Sequence, residues 1–158
     1  MIALRAGVLE DAPALVAVEK AASLAAFPHV FPPELYPYPD AAVLEDLLAR
    51  IATGTEVIVS EDAGEVVGWV SVSPGWLEQL YVLPERWGTG VGPALHDAAV
   101  ERRGTAGDRA LRLWTLGANE RSRRFYERRG WRLDGHTRVV PFPPHPLDVG
   151  YTLRIESC

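Results

Sequence analysis

The chain has 158 residues, carries a net charge of −5 and has a pI near 5.4. An excess of acid opposes general binding to phosphate backbones, so we expect no nucleic-acid partner. No apolar run reaches the ~20 residues that span a bilayer, and no basic segment followed by an apolar one opens the chain, so we expect a cytoplasmic protein without membrane contact. The length fits one domain, residues 1–158. The single cysteine, Cys158, excludes an internal disulfide.

In the first third of the chain, the spacing of apolar residues predicts helices. A short strand is expected first, followed by a helix over 11–24 and a second helix over 40–51. Between these helices, residues 27–39 contain five prolines with aromatic residues among them. Prolines at that density exclude a regular helix, so this segment is predicted to be a loop.

The rest of the chain alternates strand and helix signals. The order β, α, α, β, β, β, α, β, α, β, β predicts an α/β fold with a mixed sheet and helices on its faces. A proline-rich loop, 141–146, separates the last two strands. The predicted strands are 56–60, 66–73, 77–83, 110–115, 131–140 and 149–155, and the predicted helices begin near residues 91 and 120.

A glycine-rich loop follows the strand that ends at Leu83. Gly88, Gly90 and Gly92 alternate immediately before a helix, where free backbone N–H groups and the helix dipole favour an anion such as a pyrophosphate. A P-loop is excluded because Gly-Lys-Ser/Thr is absent, and the spacing does not fit a dinucleotide fingerprint of an oxidoreductase. A coenzyme A pyrophosphate site and a plain glycine turn remain as alternatives.

A second motif lies on the later helix. Asn119, Ser122 and Tyr126 are spaced i, i+3 and i+7, so they share one face, while Phe125 points toward the sheet. Small and polar groups beside an anchored face suit a ligand groove. The alternative is a solvated face with Tyr126 half-buried.

Together the two motifs resemble those of the GCN5-related N-acetyltransferase (GNAT) family. The family's loop has the pattern Gln/Arg-x-x-Gly-x-Gly/Ala, and this chain has Trp87-Gly-Thr-Gly-Val-Gly92. The family's later helix, Asn-x-x-Ala-x-x-Phe-Tyr-x-x-x-Gly-Phe, is matched from Asn119 to Trp131 with Ser122 in place of Ala. The resemblance implies a central, twisted, mostly antiparallel sheet of six to seven strands with helices on both faces.

The resemblance also implies the reaction and its alternatives. An N-acetyltransferase of this family transfers acetyl from acetyl-CoA, its co-substrate, to a primary amine by direct attack, and uses no metal. We expect a small-molecule amine as the acceptor and a monomer or homodimer. A protein N-terminus or lysine is a second possible acceptor, and a CoA-binding sensor or regulatory module without turnover is the alternative of another class.

The family pattern assigns the co-substrate to the strand end, the glycine loop and the later helix. Two central strands, here those ending at Val82 and Thr115, are expected to splay apart, and the loop N–H groups are expected to hold the pyrophosphate. Arg123 or Arg124 is a candidate for the 3′-phosphate, and a solvated arginine-rich face is the alternative. The implied binding residues are Leu80, Tyr81, Val82, Trp87, Gly88, Thr89, Gly90, Val91, Gly92, Asn119, Ser122 and Tyr126.

Acyl transfer needs a donor for the oxyanion, an acid for the thiolate and a base for the ammonium. By position in the family pattern, the Val82 N–H and the Tyr126 phenol are expected to fill the first two roles. Glu78 is predicted as the base because strict alternation places it on the face of Leu80 and Val82. The alternatives to Glu78 are a water chain or one of the four histidines, His29, His96, His136 and His145.

The family places its acceptor between the early helices and the last hairpin. Here those regions are 27–38 and 141–146, both rich in proline and aromatic residues. Aromatic walls suit a small apolar or cationic amine, although simple loop packing explains them equally well. The predicted acceptor residues are His29, Phe31, Tyr36, Trp76 and His145.

Overall fold

The computed structural model describes residues 1–156, so Cys158 lies outside the described residues. Within that range seven strands form one sheet in the order β1-β2-β3-β4-β5-β7-β6. All neighbouring strands are antiparallel except β4 and β5, which are parallel. The strands are β1 (Ile2–Ala6), β2 (Glu56–Asp62), β3 (Glu65–Ser73), β4 (Trp76–Val82), β5 (Ala110–Leu116), β6 (Arg132–Val139) and β7 (Leu147–Arg154).

Four α-helices cover the two faces of this sheet. The predicted mixed, mostly antiparallel sheet of six to seven strands with helices on both faces is confirmed. No helix in the described part of the chain combines the length and the apolar character needed to span a membrane. The helices are α1 (Ala12–Ala26), α2 (Asp40–Ala52), α3 (Val91–Thr105) and α4 (Glu120–Glu127).

Each face of the sheet has its own core. On one face α3 and α4 bury Leu95 and Tyr126 against strand residues such as Val70 and Leu113. On the other face α1 and α2 bury Leu15 and Leu47 around Trp69. The face of the sheet on which a strand side chain lies therefore determines which pair of helices it packs against.

Candidate functional site

The two central strands separate after a short contact. β4 and β5 are registered at a single pair in the described structure, Trp76 with Arg112. Their carboxyl ends therefore diverge and leave a gap in the middle of the sheet, as the resemblance predicted.

The backbone of β4 is turned toward this gap at alternate residues. The N–H of Leu83 donates to the carbonyl of Val67 on β3 at 2.9 Å. Because backbone groups alternate in direction along a strand, the N–H and C=O groups of Leu80 and Val82 point away from β3 and into the gap. Both residues are among the predicted co-substrate residues.

A cleft of about 760 Å³ occupies the gap and continues along the glycine loop and α4. Its walls come from four parts of the chain: the end of α1, the end of β4, the loop before α3, and α4. Among the predicted co-substrate residues, all but Thr89 and Val91 line it. The cleft brings together Leu80, Tyr81, Val82, Trp87, Gly88, Gly90, Gly92, Asn119, Ser122 and Tyr126; their binding role stays a prediction.

The glycine loop needs glycine for its conformation and for its packing. Gly90 caps α3 with φ of 96°, in the left-handed region where a Cβ is unfavourable. A Cβ on Gly92 would lie 3.3 Å from the Phe125 ring, so its absence lets α4 approach α3. Val91 is fully buried, and the Thr89 hydroxyl turns back to the Arg86 carbonyl. Both residues therefore offer the cleft only their backbone.

Trp87 stands where the family pattern has Gln or Arg. Its indole Nε1 donates to the Val82 carbonyl at 2.8 Å, which ties the loop to the end of β4. The Arg121 guanidinium lies 4.2 Å from the centre of the Trp87 ring. A cation is thus present at this position, although it comes from α4 and stacks on the tryptophan.

The cleft is positively charged although the protein is acidic. Five arginines line it, and Glu120 is the one acid in its lining. Of the two arginines named for the 3′-phosphate, Arg124 lines the cleft, whereas Arg123 donates to the Tyr151 hydroxyl and the Gly117 carbonyl; the phosphate contact itself stays a prediction. The lining arginines are Arg86, Arg121, Arg124, Arg128 and Arg129.

Hydrogen bonds fix the start of α4 against the end of β5. The Asn119 side chain accepts from the Ser122 N–H at 3.1 Å, as expected of a helix cap. The Ser122 hydroxyl is hydrogen-bonded to that of Thr115 at 2.9 Å. The small polar face predicted for this helix is therefore turned toward the gap.

Tyr126 follows two turns later on α4 and is 7% exposed. Its ring packs edge-on against Phe125 and Trp131, and the Trp131 indole donates to the buried His96 Nε2 at 2.9 Å. Burial raises the pKa of the Tyr126 phenol, so it retains its proton at neutral pH. This aromatic cluster holds Tyr126 in the wall of the cleft.

The prediction that Glu78 shares a face with Leu80 and Val82 is wrong. A β-bulge lies at this point of β4, because Ser71 pairs with Gln79 while Val72 pairs with Leu77. The extra residue turns Glu78 toward α2. There its carboxylate accepts from Arg50 at 3.2 Å and from Thr55 at 2.8 Å, and it does not line the cleft.

The predicted acceptor residues lie outside the cleft lining, and their role stays a prediction. His29 reaches across to the Ala118 carbonyl at 3.3 Å, so residues 27–39 bridge to the far wall of the gap. From this segment Phe27 lines the cleft. Phe31 and Tyr36 pack edge to face, Trp76 stacks on Trp114, and His145 contacts the Val140 carbonyl.

Sequence reasoning missed one buried acid beside the gap. Glu19 is 7% exposed and lies on the stripe of α1 that faces the sheet. The available signal was its spacing of i+4 from Leu15 and i−3 from Ala22, which puts a carboxylate inside an apolar stripe. Within residues 1–156, no group of three or more His, Cys, Asp and Glu side chains is arranged to hold a metal ion.

Comparison with known families gives a match over most of the chain. The model of the acetyltransferase (GNAT) family matches residues 20–131. The chain belongs to the GNAT family. This GNAT protein is thus an acyl-CoA-dependent N-acetyltransferase, and the matched region contains the glycine loop and α4.

Two curated relatives of this GNAT protein are themselves described as uncharacterized N-acetyltransferases. One, from Mycobacterium tuberculosis, is 32% identical over 149 residues, which are 87% of this chain and 92% of the relative. The other, from Archaeoglobus fulgidus, is 35% identical over 91 residues, which are 51% of this chain and 60% of the relative. The first of these extends the similarity to almost the whole chain.

Solved structures share the fold at lower identity. A GCN5-related N-acetyltransferase from Rhodopseudomonas palustris superposes with a TM-score of 0.80 at 23% identity, covering 97% of this chain and 95% of its own. The Salmonella typhimurium protein yncA, solved with its cofactor acetyl-CoA, gives 0.73 at 20% identity, covering 100% and 96%. These likenesses confirm the GNAT fold.

Proposed function

We propose that this protein works in the cytoplasm and transfers the acetyl group of acetyl-CoA to the primary amine of a small molecule by direct attack. The observation that carries the proposal is a single continuous cleft. It runs from the open backbone edge of β4 at Leu80 and Val82 to a glycine loop surrounded by arginines. An elongated ligand with an amide-containing arm and a phosphate end fits both parts.

The loop end suits the phosphates. The first-turn N–H groups of α3 at Val91 and Gly92 have no carbonyl one turn earlier in the helix, and the helix dipole adds positive potential there. Arg121, held over Trp87, is the guanidinium at the junction of loop and α4. Arginine forms bidentate, charge-assisted hydrogen bonds with phosphate oxygens, so we assign it to this end.

The gap end suits the arm and the thioester. Amides of an extended arm can pair with the N–H and C=O groups of Leu80, as an added strand would, while the Val82 carbonyl already accepts from the Trp87 indole. We assign the Val82 N–H to the oxyanion that develops on the thioester carbonyl. We assign the Tyr126 phenol to the departing thiolate, because its raised pKa keeps it protonated.

Protons balance in this scheme. The amine nitrogen bonds to the thioester carbon, the C–S bond breaks, and the sulfur takes the proton of Tyr126. The Tyr126 phenolate then recovers a proton from the nitrogen, which becomes the amide. An amine that begins as ammonium has one further proton to lose before attack.

The test uses the purified protein and proceeds in two steps. Coenzyme A and acetyl-CoA are first titrated while thermal unfolding is followed, since a ligand of the folded state raises the unfolding temperature. Free thiol is then monitored with acetyl-CoA and a panel of primary amines, with alanine-initial and lysine-containing peptides in a parallel set. We expect stabilisation by both CoA forms and thiol release with a small amine.

Other results would contradict the proposal in different ways. Stabilisation by CoA with no thiol release from any amine or peptide would indicate a sensor without turnover. Release with peptides alone would contradict the small-molecule acceptor. Absence of stabilisation would contradict the assignment of the cleft.

A further inference from the structure

A buried carboxylate lies next to the cleft on the side away from Tyr126. Glu19 belongs to the stripe of α1 that contains Leu15, Ala22 and Ala26. Ala22 and Ala26 line the cleft, and Glu19 precedes Ala22 by three residues, about 4.5 Å along the helix axis. Glu19 is therefore within one helical turn of a residue that lines the cleft.

The position of α1 on the sheet is fixed by a buried hydrogen bond. The Trp69 indole on β3 donates to the Leu15 carbonyl at 2.9 Å. Leu15 is one turn before Glu19 and is fully buried. This bond leaves little freedom for the helix to slide or rotate, so Glu19 is held against β4.

Two hydrogen-bond donors orient the Glu19 carboxylate. The Tyr38 hydroxyl donates to Oε2 at 2.8 Å, and the Gln79 amide donates to Oε1 at the long distance of 3.5 Å. The Gln79 amide is oriented in turn because its oxygen accepts from the Ser71 hydroxyl at 3.2 Å. Gln79 directly precedes Leu80, whose backbone faces the gap.

The charges around Glu19 come from the helices and the strand that pack against it. Burial raises its pKa to about 7, while the hydrogen bond from Tyr38 opposes this rise. On α2, Asp46 raises the pKa and Arg50 lowers it, but Arg50 is bound by Asp46 and Glu78. On β4, burial raises the pKa of the Tyr81 phenol, and the charges of Glu19 and Tyr126 raise it further.

We propose that Glu19 is the base that removes a proton, through one bridging water, from the ammonium form of the acceptor amine. This inference rests on the proposed function, because it supplies the one proton transfer that the scheme above leaves open. The ammonium loses a proton to water while that water gives one to Oε1 or Oε2 of Glu19. The resulting neutral amine attacks the thioester carbon, and Glu19 returns its proton to solvent after product leaves.

The proton count then closes. Of the three protons on the ammonium, one passes to Glu19, one reaches the sulfur by way of Tyr126, and one stays on the amide. Base and acid act from opposite faces of the sheet, since Glu19 belongs to the α1–α2 face and Tyr126 to the α3–α4 face. The gap is where the two faces meet.

The competing explanation is structural: Glu19 only anchors the Tyr38 hydroxyl and so holds the segment before α2. A pH profile separates the two. If Glu19 is the base, kcat/KM rises with pH to a plateau, and the midpoint of this rising limb lies near pH 7. Glu19→Gln then removes the rising limb and lowers kcat/KM about 10- to 100-fold at neutral pH. KM for acetyl-CoA stays unchanged, because the co-substrate end of the cleft is intact.

Two further variants sharpen the test. Tyr38→Phe keeps the ring but removes a donor that favours the ionised carboxylate, so the midpoint shifts to higher pH. Glu78→Gln is the matched control, since this acid is bound by Arg50 and Thr55 outside the cleft, and it leaves the limb in place. The proposal would be overturned if Glu19→Gln kept the same rise of kcat/KM with pH as wild type. It would also be overturned if Tyr38→Phe and wild type had the same pH profile.

A measurement without turnover keeps the test independent of the acceptor. In protein labelled with 13C at glutamate side-chain carboxyls, one resonance should titrate near pH 7 and disappear in Glu19→Gln. A midpoint below pH 5.5 for that resonance would overturn the role of Glu19 even if no amine is turned over. Failure of CoA to stabilise the wild-type protein would instead contradict the proposed function.

Discussion

The two ends of the cleft are formed by different kinds of chemical group. At the loop end, the groups offered to a ligand are backbone N–H groups of Val91 and Gly92 and exposed guanidinium groups such as that of Arg121. At the gap end the side chains have little exposure: Tyr126 lines the cleft, and Glu19 lies buried beside it. One end resembles a charged surface and the other resembles a core.

This difference determines what each end can contribute. Water and salt screen the interaction between exposed charges and an anion. Because several arginines contribute at this end, each one adds only a modest amount to the binding free energy. A buried phenol or carboxylate acts alone, and its protonation is set by its surroundings. We therefore expect binding to be spread over many residues and chemistry to be concentrated in few.

The largest effect is expected at Tyr126, at the gap end. Tyr126→Phe retains the ring that packs on Phe125 and Trp131 but removes the acid, so kcat should fall about 100-fold or more. The dissociation constant for acetyl-CoA should change less than twofold. Steady-state thiol release and calorimetric titration measure the two quantities.

A second tyrosine provides the control. Tyr151→Phe also removes a buried hydroxyl, which contacts Arg123 and Glu127, but Tyr151 does not line the cleft. It should lower thermal stability and leave kcat near the wild-type value. An equal kcat for Tyr126→Phe and wild type would show that the thiolate leaves without this acid.

The next largest effect concerns the stability of the gap end. The folded-state pKa of Glu19 is raised to about 7 from 4.5, so the folded protein holds the extra proton between these values and loses stability as pH rises through that window. Glu19→Gln removes this loss. Relative to wild type, its free energy of unfolding should gain about 1–3 kcal/mol between pH 5 and pH 8.

Urea unfolding of both proteins at the two pH values checks this gain. Glu78→Gln should show no such gain, since Arg50 and Thr55 bind the carboxylate that it loses. A Glu19→Gln protein that is less stable than wild type by the same amount at both pH values would indicate a purely structural role.

At the loop end we expect a smaller change. Arg121→Ala should weaken acetyl-CoA binding about fivefold to tenfold, because it removes one charge-assisted interaction that is partly screened by solvent. The value of kcat should not change. Arg123→Ala is the matched control from the same helix, since this side chain binds Tyr151 and Gly117 away from the cleft. Equal affinity losses in the two variants would refute the assignment of Arg121.

The smallest effect should come from Trp87. Trp87→Phe keeps an aromatic ring under Arg121 but loses the hydrogen bond from the indole to the Val82 carbonyl. A bond of this kind contributes about 1 kcal/mol, so the affinity for acetyl-CoA should fall about threefold to fivefold. Unchanged affinity, measured by the same titration, would mean that the loop keeps its position without this bond.

The lining of the cleft at the glycine loop and α4 could be predicted because its signals are local. Glycine at 90 is required by a left-handed backbone, Asn119 caps α4, and the i, i+3, i+7 spacing turns Ser122 and Tyr126 to one side. These effects depend on a few neighbouring residues. The order of elements along the chain followed from the alternation of strand and helix signals, and the gap between the two central strands followed from the family resemblance.

The surroundings of Glu19, Glu78 and Arg123 could not be predicted, because their determinants are distant along the chain. Glu19 is assigned by contacts with Tyr38 and Gln79, which lie 19 and 60 residues away. Arg123 and Arg121 are two residues apart on one helix, and only packing against Tyr151 shows which one leaves the cleft. For Glu78, regular alternation failed because the pairing of β3 with β4 contains a bulge.

Because of the bulge at Glu78, β4 can change its length by one residue without changing the orientation of the residues that line the gap. Leu77 and Leu80 pack on the same core although two residues lie between them, so removing Glu78 would restore regular alternation without turning either leucine. The backbone edge at Leu80 and Val82 would keep its direction, and Gln79 would still meet Glu19. A shortening of β4 by one residue would therefore remove the ion pair between Arg50 and Glu78 and leave the backbone edge at Leu80 and Val82 in place, so this position can tolerate a change in length.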